Sequence, residues 1–250
     1  NWGEVLKSLV IPRISWSSDY WYVIVALLGT TISPYMFFWQ AAEEVEEGKY
    51  ANKTGGEKRT LKIIRRDNAI GMTASQLASL FMIVTTAVVL HENGVTSIGT
   101  AADAAKALEP LVQGFPDAGL YAKIIFAIGI IGMGLLGIPV LAGSVAYAVS
   151  DVRDWPEGLD YKFFQARNFY LVIILATLAG WAMNAIGIDP IKSLVFAAVI
   201  NGLVSIPLIF LLMKISRNKS VLGENIGGRL SQTMLAATFI VTSIAGAILL

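Results

Sequence analysis

The chain has 250 residues, 55% of them hydrophobic, with a mean hydropathy of +0.64 and a formal charge of only +1. So apolar a composition, with charges gathered into a few polar stretches, is that of a polytopic membrane protein and excludes an ordinary soluble domain. Without cysteine there is no disulfide, thiolate metal site or thiol nucleophile, and one histidine, His91, excludes a histidine ligand cluster within the chain.

Six apolar runs reach spanning length, about 20 residues at 1.5 Å each. They fall at 20–43, 68–90, 120–149, 168–186, 190–213 and 230–250. The expected fold class is therefore all-α, a single polytopic membrane domain over residues 1–250. The chain opens on Asn1 with no signal-like segment, and it is expected to be part of a longer protein.

The first run is interrupted at its centre by Gly29, Thr30, Thr31, Ser33 and Pro34. A proline there removes a backbone donor and clashes with the carbonyl four residues earlier. Such freed groups are tolerated in hydrocarbon only where protein buries them or where they line a polar cavity. Helix to about Gly29 would end with unpaired carbonyls and the negative end of its dipole. A second half would start near Tyr35 with unpaired amides. The break thus predicts a discontinuous helix and an ion or substrate site, with oxygens from Thr30, Thr31 and Ser33 facing a cation. A simple proline kink is the alternative. After it, Glu43, Glu44, Glu46 and Glu47 read as a cation-attracting vestibule, or as a solvated end paired with Lys49, Lys53 and Arg59.

The second run ends at His91, read as interfacial. The segment beyond it carries Thr100 and Asp103, a capping-box-like start to a short interfacial helix over 104–112. The third run is longer than one crossing requires and predicts tilt or an extension past the interface. Its Gly132-Met133-Gly134-Leu135-Leu136-Gly137 matches a dinucleotide fingerprint by letter, but no strand precedes it. Gly129 and its neighbours are instead expected to permit close helix contacts, with Pro139 adding a bend.

Asp189-Pro190 starts the fifth run after a very short turn, so the fourth and fifth runs form a hairpin. On the fifth, Asn201 and Ser205 lie one turn apart and share a face. They complete a polar wall opposite the break, or else form interhelical hydrogen bonds. The polar stretches 44–67, 150–167 and 214–229 hold 14 of the 19 lysines and arginines. The positive-inside rule puts these on the cytoplasmic side, where basic loops also suit anionic lipid. No nucleic-acid partner is needed to explain them. Without cysteine or a buried acid pair, enzyme chemistry is not expected.

The segment 28–40 resembles the broken sixth helix of the NRAMP metal-transporter family, whose fold is LeuT-like with inverted repeats. Thr30-Thr31-Ile32-Ser33-Pro34-Tyr35 stands where that family reads roughly Ala-Thr-Val-Met-Pro-His. Residues 102–110 resemble its external segment before the eighth helix, Ser205-Ile206-Pro207 its tenth helix, and 214–223 the basic loop before its eleventh. The resemblance implies the carboxyl-terminal six helices of an eleven-helix transporter, in the cell inner membrane of a bacterium. It implies a divalent cation bound at Thr30 and Ser33, with Asn201 or Ser205 helping, as cargo and not as a resident cofactor. The family's thioether position is Ser33 here, a hard oxygen donor suited to Mg²⁺ or Mn²⁺. Its histidine is Tyr35, which does not titrate near neutral pH. Both departures resemble the family's magnesium-transporting branch and imply Mg²⁺, with Mn²⁺ as a second cargo. The family's counter-charge is an Asp in a broken first helix, which would lie before Asn1, so missing amino-terminal helices are implied partners. A transporter of another cargo on the same fold, such as an amino acid, and a non-transporting membrane fragment are the rival readings.

Overall fold

A computed structural model describes residues 3, 7, 11, 14–51, 57–87, 101–106 and 117–250. Among the described residues all regular structure is helical: α1 Ser18–Ile32, α2 Pro34–Ala51, α3 Glu57–Thr85, α4 Ala101–Lys106, α5 Ala118–Val152, α6 Arg167–Ala185, α7 Pro190–Ser216, α8 Lys219–Leu222 and α9 Arg229–Leu249. Five helical stretches are long and apolar enough to cross a bilayer, and α1 with α2 count as one of them, Ser18–Gly48. The others are Gly119–Val152, Arg167–Ala185, Pro190–Ser216 and Arg229–Leu249. These match five of the six expected spans. The remaining one, 68–90, falls on α3, whose Asn68, Thr73, Ser75, Gln76 and Ser79 precede its apolar end; residues 88–90 lie outside the described set, as do His91 and Thr100. The interfacial helix expected at 104–112 is described only through α4, which starts earlier, at Ala101.

The helix ends follow local chemistry. Ser17 caps α1 by accepting a hydrogen bond from the Tyr20 amide at 3.3 Å, with Asp19 in the first turn. Asp189 Oδ1 accepts from the Ile191 and Lys192 amides at 2.9 and 3.3 Å, and Pro190 occupies the first turn of α7. The Asp189–Lys192 ion pair, 3.8 Å and exposed, adds little. Asp189→Ala is expected to cost about 1 kcal/mol, read as a lower thermal midpoint of the detergent-solubilised protein. α5 is about 50 Å long at 1.5 Å per residue, longer than the hydrocarbon core, as its sequence predicted. α2 also outruns expectation: helix continues to Ala51, so Glu43–Glu47 lie within it and not at its end. Lys53, proposed to pair with them, lies outside the described residues, and of Lys49 and Arg59 only the backbone is described.

Two separate apolar cores hold the bundle. In the first, Val25 and Ala26 of α1 pack with Ala198 and Val199 of α7 and Ala245 of α9. In the second, Ala146 and Tyr147 of α5 pack with Ala166 and Phe169 at the start of α6, and Trp39 and Ala42 of α2 close over them. The crossings rest on glycines. A Cβ on Gly29 would run into the Ala198 carbonyl and the Gly202 amide, and one on Gly202 into the Val25 carbonyl. One on Gly143 would strike the Trp39 indole. The close contacts expected near Gly129 are not found among the described residues: Gly129, Gly132 and Gly137 face open space. Small residues permit contact but do not create it, and along this stretch α5 is exposed. In hydrocarbon an exposed apolar face carries no solvation cost.

Candidate functional site

The interruption in the first span is a single residue. α1 runs to Ile32, α2 begins at Pro34, and between them Ser33 takes the left-handed conformation, φ 42° and ψ 76°. A non-glycine residue there costs on the order of 1 kcal/mol or more. The expected unwinding from Thr30 is therefore too wide. Thr30 and Thr31 stay helical, and their hydroxyls are satisfied within the helix by donating back to the Leu27 carbonyl, at 2.9 and 2.8 Å.

Two oxygens meet at the break. Pro34 has no N–H to give the carbonyl four residues earlier, which is that of Thr30. Ser33 Oγ takes over, donating to that carbonyl at 2.5 Å, while the Ser33 amide donates to the Gly29 carbonyl at 3.0 Å. After these bonds the hydroxyl keeps its lone pairs and the Thr30 carbonyl keeps one. Both sit at the negative end of the α1 dipole. Ser33 is 9% exposed and Pro34 is buried, so the hydroxyl is enclosed by protein, while Thr30 stands at the exposed edge of the break. The Ser33 carbonyl accepts from the Met36 amide at 2.9 Å, which starts α2 at once.

The other two predicted residues sit on α7, flanking Gly202, the residue against which Val25 and Gly29 pack. Ser205 is fully buried and its hydroxyl donates to the Gly202 carbonyl at 2.7 Å. That bond within one helix replaces the interhelical bond considered from sequence. Asn201 is half-buried on the same helix. Thr30 and Ser33 are thus joined directly, and Asn201 and Ser205 stand on the helix that carries α1. All four offer neutral oxygens, the donors preferred by hard divalent cations. Among the described residues no group of three or more Asp, Glu or His is placed to hold a metal.

Below the break, α2 carries polar partners that its sequence did not announce. Gln40 Nε2 donates to Asn68 Oδ1 of α3 at 2.7 Å. Tyr147 Oη donates to Glu46 Oε1 at 2.6 Å, across 101 residues of chain. A cavity of about 370 Å³ lies beside that pair, lined by Phe38, Ala42, Glu46, Tyr147, Asp151 and Glu157 among others. The one available signal was a tyrosine inside an otherwise apolar stretch of α5, since a buried phenol needs a partner.

Comparison with known proteins agrees with this architecture. A divalent metal cation transporter MntH from Caldanaerobacter subterraneus subsp. tengcongensis is 26% identical over 247 residues, covering 96% of this chain and 53% of its own length. Proteins of the same name from Klebsiella pneumoniae and Pectobacterium carotovorum subsp. carotovorum are 26% and 25% identical, each covering 91% of this chain and 50% of their own. The chain therefore spans about half the length of the curated relatives it matches. The family model for natural resistance-associated macrophage protein-like proteins matches residues 1–250, the whole chain. The chain belongs to the Nramp family.

Proposed function

We propose that this chain is the cation-binding half of a divalent metal cation transporter, a single multi-pass domain of a longer protein in a bacterial inner membrane. The observation that carries this reading is the pairing of Ser33 Oγ with the Thr30 carbonyl at a one-residue break. The relatives' printed name, divalent metal cation transporter, supports the cargo class. Alternating access follows when one group of helices rocks against another around the site.

Mg²⁺ is the favoured cargo, with Mn²⁺ second. The donors are hydroxyl and carbonyl oxygens, and no thioether stands at Ser33. Mg²⁺ gives up water reluctantly and keeps several water ligands, so it tolerates a site with few protein donors. Asn201 is the α7 residue that helps hold the hydrated ion; Ser205, buried and bonded to the Gly202 carbonyl, stands beyond the Gly29–Gly202 crossing from the break and serves the packing of α7. Neutral oxygens alone do not offset a double charge in low dielectric. The negative charge comes from helices outside this sequence.

Uptake of Mg²⁺, Mn²⁺ and Cd²⁺ into proteoliposomes tests the reading. Ser33→Met, which installs a soft thioether, is expected to shift preference from Mg²⁺ toward Cd²⁺ by about tenfold, some 1.4 kcal/mol. Unchanged preference removes Ser33 from the site. Uptake of an amino acid in place of any dication transfers the protein to another cargo class.

A further inference from the structure

The two halves of the broken helix belong to different bodies. α1 is bound into the first core, against α7 and α9, through the Gly29–Gly202 crossing. α2 is bound into the second, against α5 and α6. Ser33 is the one residue between them along the chain, and its left-handed backbone is a conformation that neither helix shares, although α2 also touches α7. A relative movement of the two bodies is therefore taken up at Ser33. What limits such movement most is the contact of α2 with α5, beside the lesser contact with α7 and the exposed Gln40–Asn68 bond to α3.

Three contacts fasten α2 to α5, all on one face of α2. Trp39 lies in the space left by the missing side chain of Gly143, with its ring 5.8 Å from that of Tyr147 in an edge-to-face arrangement. Tyr147 is itself seated edge-on against Phe169, at 4.8 Å. One and two turns beyond Trp39, Ala42 joins the same apolar cluster, and Glu46 accepts the Tyr147 hydroxyl proton at 2.6 Å. The same phenol oxygen accepts from the Leu159 amide at 3.3 Å, which ties in the segment between α5 and α6. Gly158, at φ 137°, lets that segment pass so close that a Cβ would sit 2.7 Å from Glu46 Oε1.

The apolar part of this contact is close-packed and weakens gradually as the helices separate. The charged hydrogen bond is directional and is either made or broken. We infer that Glu46, Tyr147 and the Leu159 amide form a latch that holds the second half-helix closed against α5, and that its release lets α2 swing about Ser33. By the distribution of basic residues this latch stands at the cytoplasmic end of the helix. The adjoining cavity gives α2 and the 153–166 segment room to reposition.

The inference rests on the alternating-access reading, but its test uses no cation. The chain has no cysteine, so paired cysteines introduced at Glu47 and Val152, both exposed, take spin labels on α2 and at the end of α5 of the intact protein in lipid nanodiscs. A control pair at Val23 and Leu194 spans α1 and α7. With Tyr147 present, one α2–α5 distance is expected to dominate. Tyr147→Phe keeps the ring in its packing and removes the bond; a charged hydrogen bond is worth enough to raise a second, longer distance by about tenfold in population. Glu46→Ala should do the same. Glu46→Gln, whose amide oxygen still accepts, should restore the single distance, and the control pair should stay unchanged throughout. A tyrosine that merely stabilises the fold would lower the melting temperature without producing the second distance. That outcome, or an equal change in the control pair, overturns the latch. Cation uptake by the unaltered protein is a separate measurement, and its absence would fault the transport reading while leaving the distances to decide the latch.

Discussion

Gly29→Ala is expected to destabilise the protein at the upper end of the range of about 1–3 kcal/mol typical of overpacking. The added methyl would meet the Ala198 carbonyl and the Gly202 amide and Cα, all backbone atoms that cannot rotate aside. α1 and α7 would have to separate, taking Val25, Ala26, Ala198 and Val199 out of contact along the whole first core. Gly202→Ala should behave similarly, because its Cβ would meet the Val25 carbonyl and approach Val25 Cγ1 at 2.8 Å. Gly180→Ala on α6 is the comparison, since nothing lies within 4 Å of its Cβ. There the better helix propensity of alanine should leave stability equal or slightly higher. Thermal unfolding in detergent, followed by the amount of monodisperse protein remaining, separates the three. Equal midpoints for Gly29→Ala and Gly180→Ala would mean that α1 and α7 do not cross at that point.

The same glycines show what the sequence could and could not reveal. Spans and their ends were legible because they depend on neighbours in the chain. Asp189-Pro190 starts α7 where it was expected, and the interruption falls inside the stretch Thr30–Pro34 that the small and polar residues around the proline marked. Its width was not legible. Thr30 and Thr31 read as loop-forming residues, yet in a span without water their hydroxyls find the nearest carbonyl, on Leu27, and the helix persists. Which glycines mark crossings was hidden as well. The conspicuous run from Gly129 to Gly137 meets little or nothing, whereas Gly29, Gly143 and Gly202 each meet a partner far away in sequence. Glu46 was read as part of an acidic surface, and only folding brings it to Tyr147. Pairings of this kind depend on how helices are placed relative to one another, which no local spacing encodes. Of the proposed site, Thr30 and Ser33 were singled out by the interruption and Asn201 and Ser205 by their shared face, and the structure adds that Ser205 is fully buried and bonded within its own helix.

Pro34→Ala is expected to abolish most transport while leaving the protein folded. Alanine restores an N–H at the position that an uninterrupted helix would use to reach the Thr30 carbonyl. Ser33 would then no longer need its left-handed conformation, and relaxing it recovers about 1 kcal/mol or more. Thr30 and Thr31 are already helical, so the repair needs only Ser33 to change, and the packing of α2 against α5 is what opposes it. The cost falls on the site. The Thr30 carbonyl would be occupied by the backbone, Ser33 Oγ would turn onto the helix surface, and the paired oxygens would be lost together. A displacement of about 1 Å in a positioned ligand commonly costs on the order of 100-fold in rate, and here both donors move. Mg²⁺ uptake per folded transporter should fall by about that factor. Pro139→Ala supplies the contrast: that proline also lies within a spanning helix, α5, but no candidate ligand depends on it. Should Pro34→Ala transport as well as Pro139→Ala, the break would be a bend in a helix and the oxygens gathered there would have no part in moving the ion.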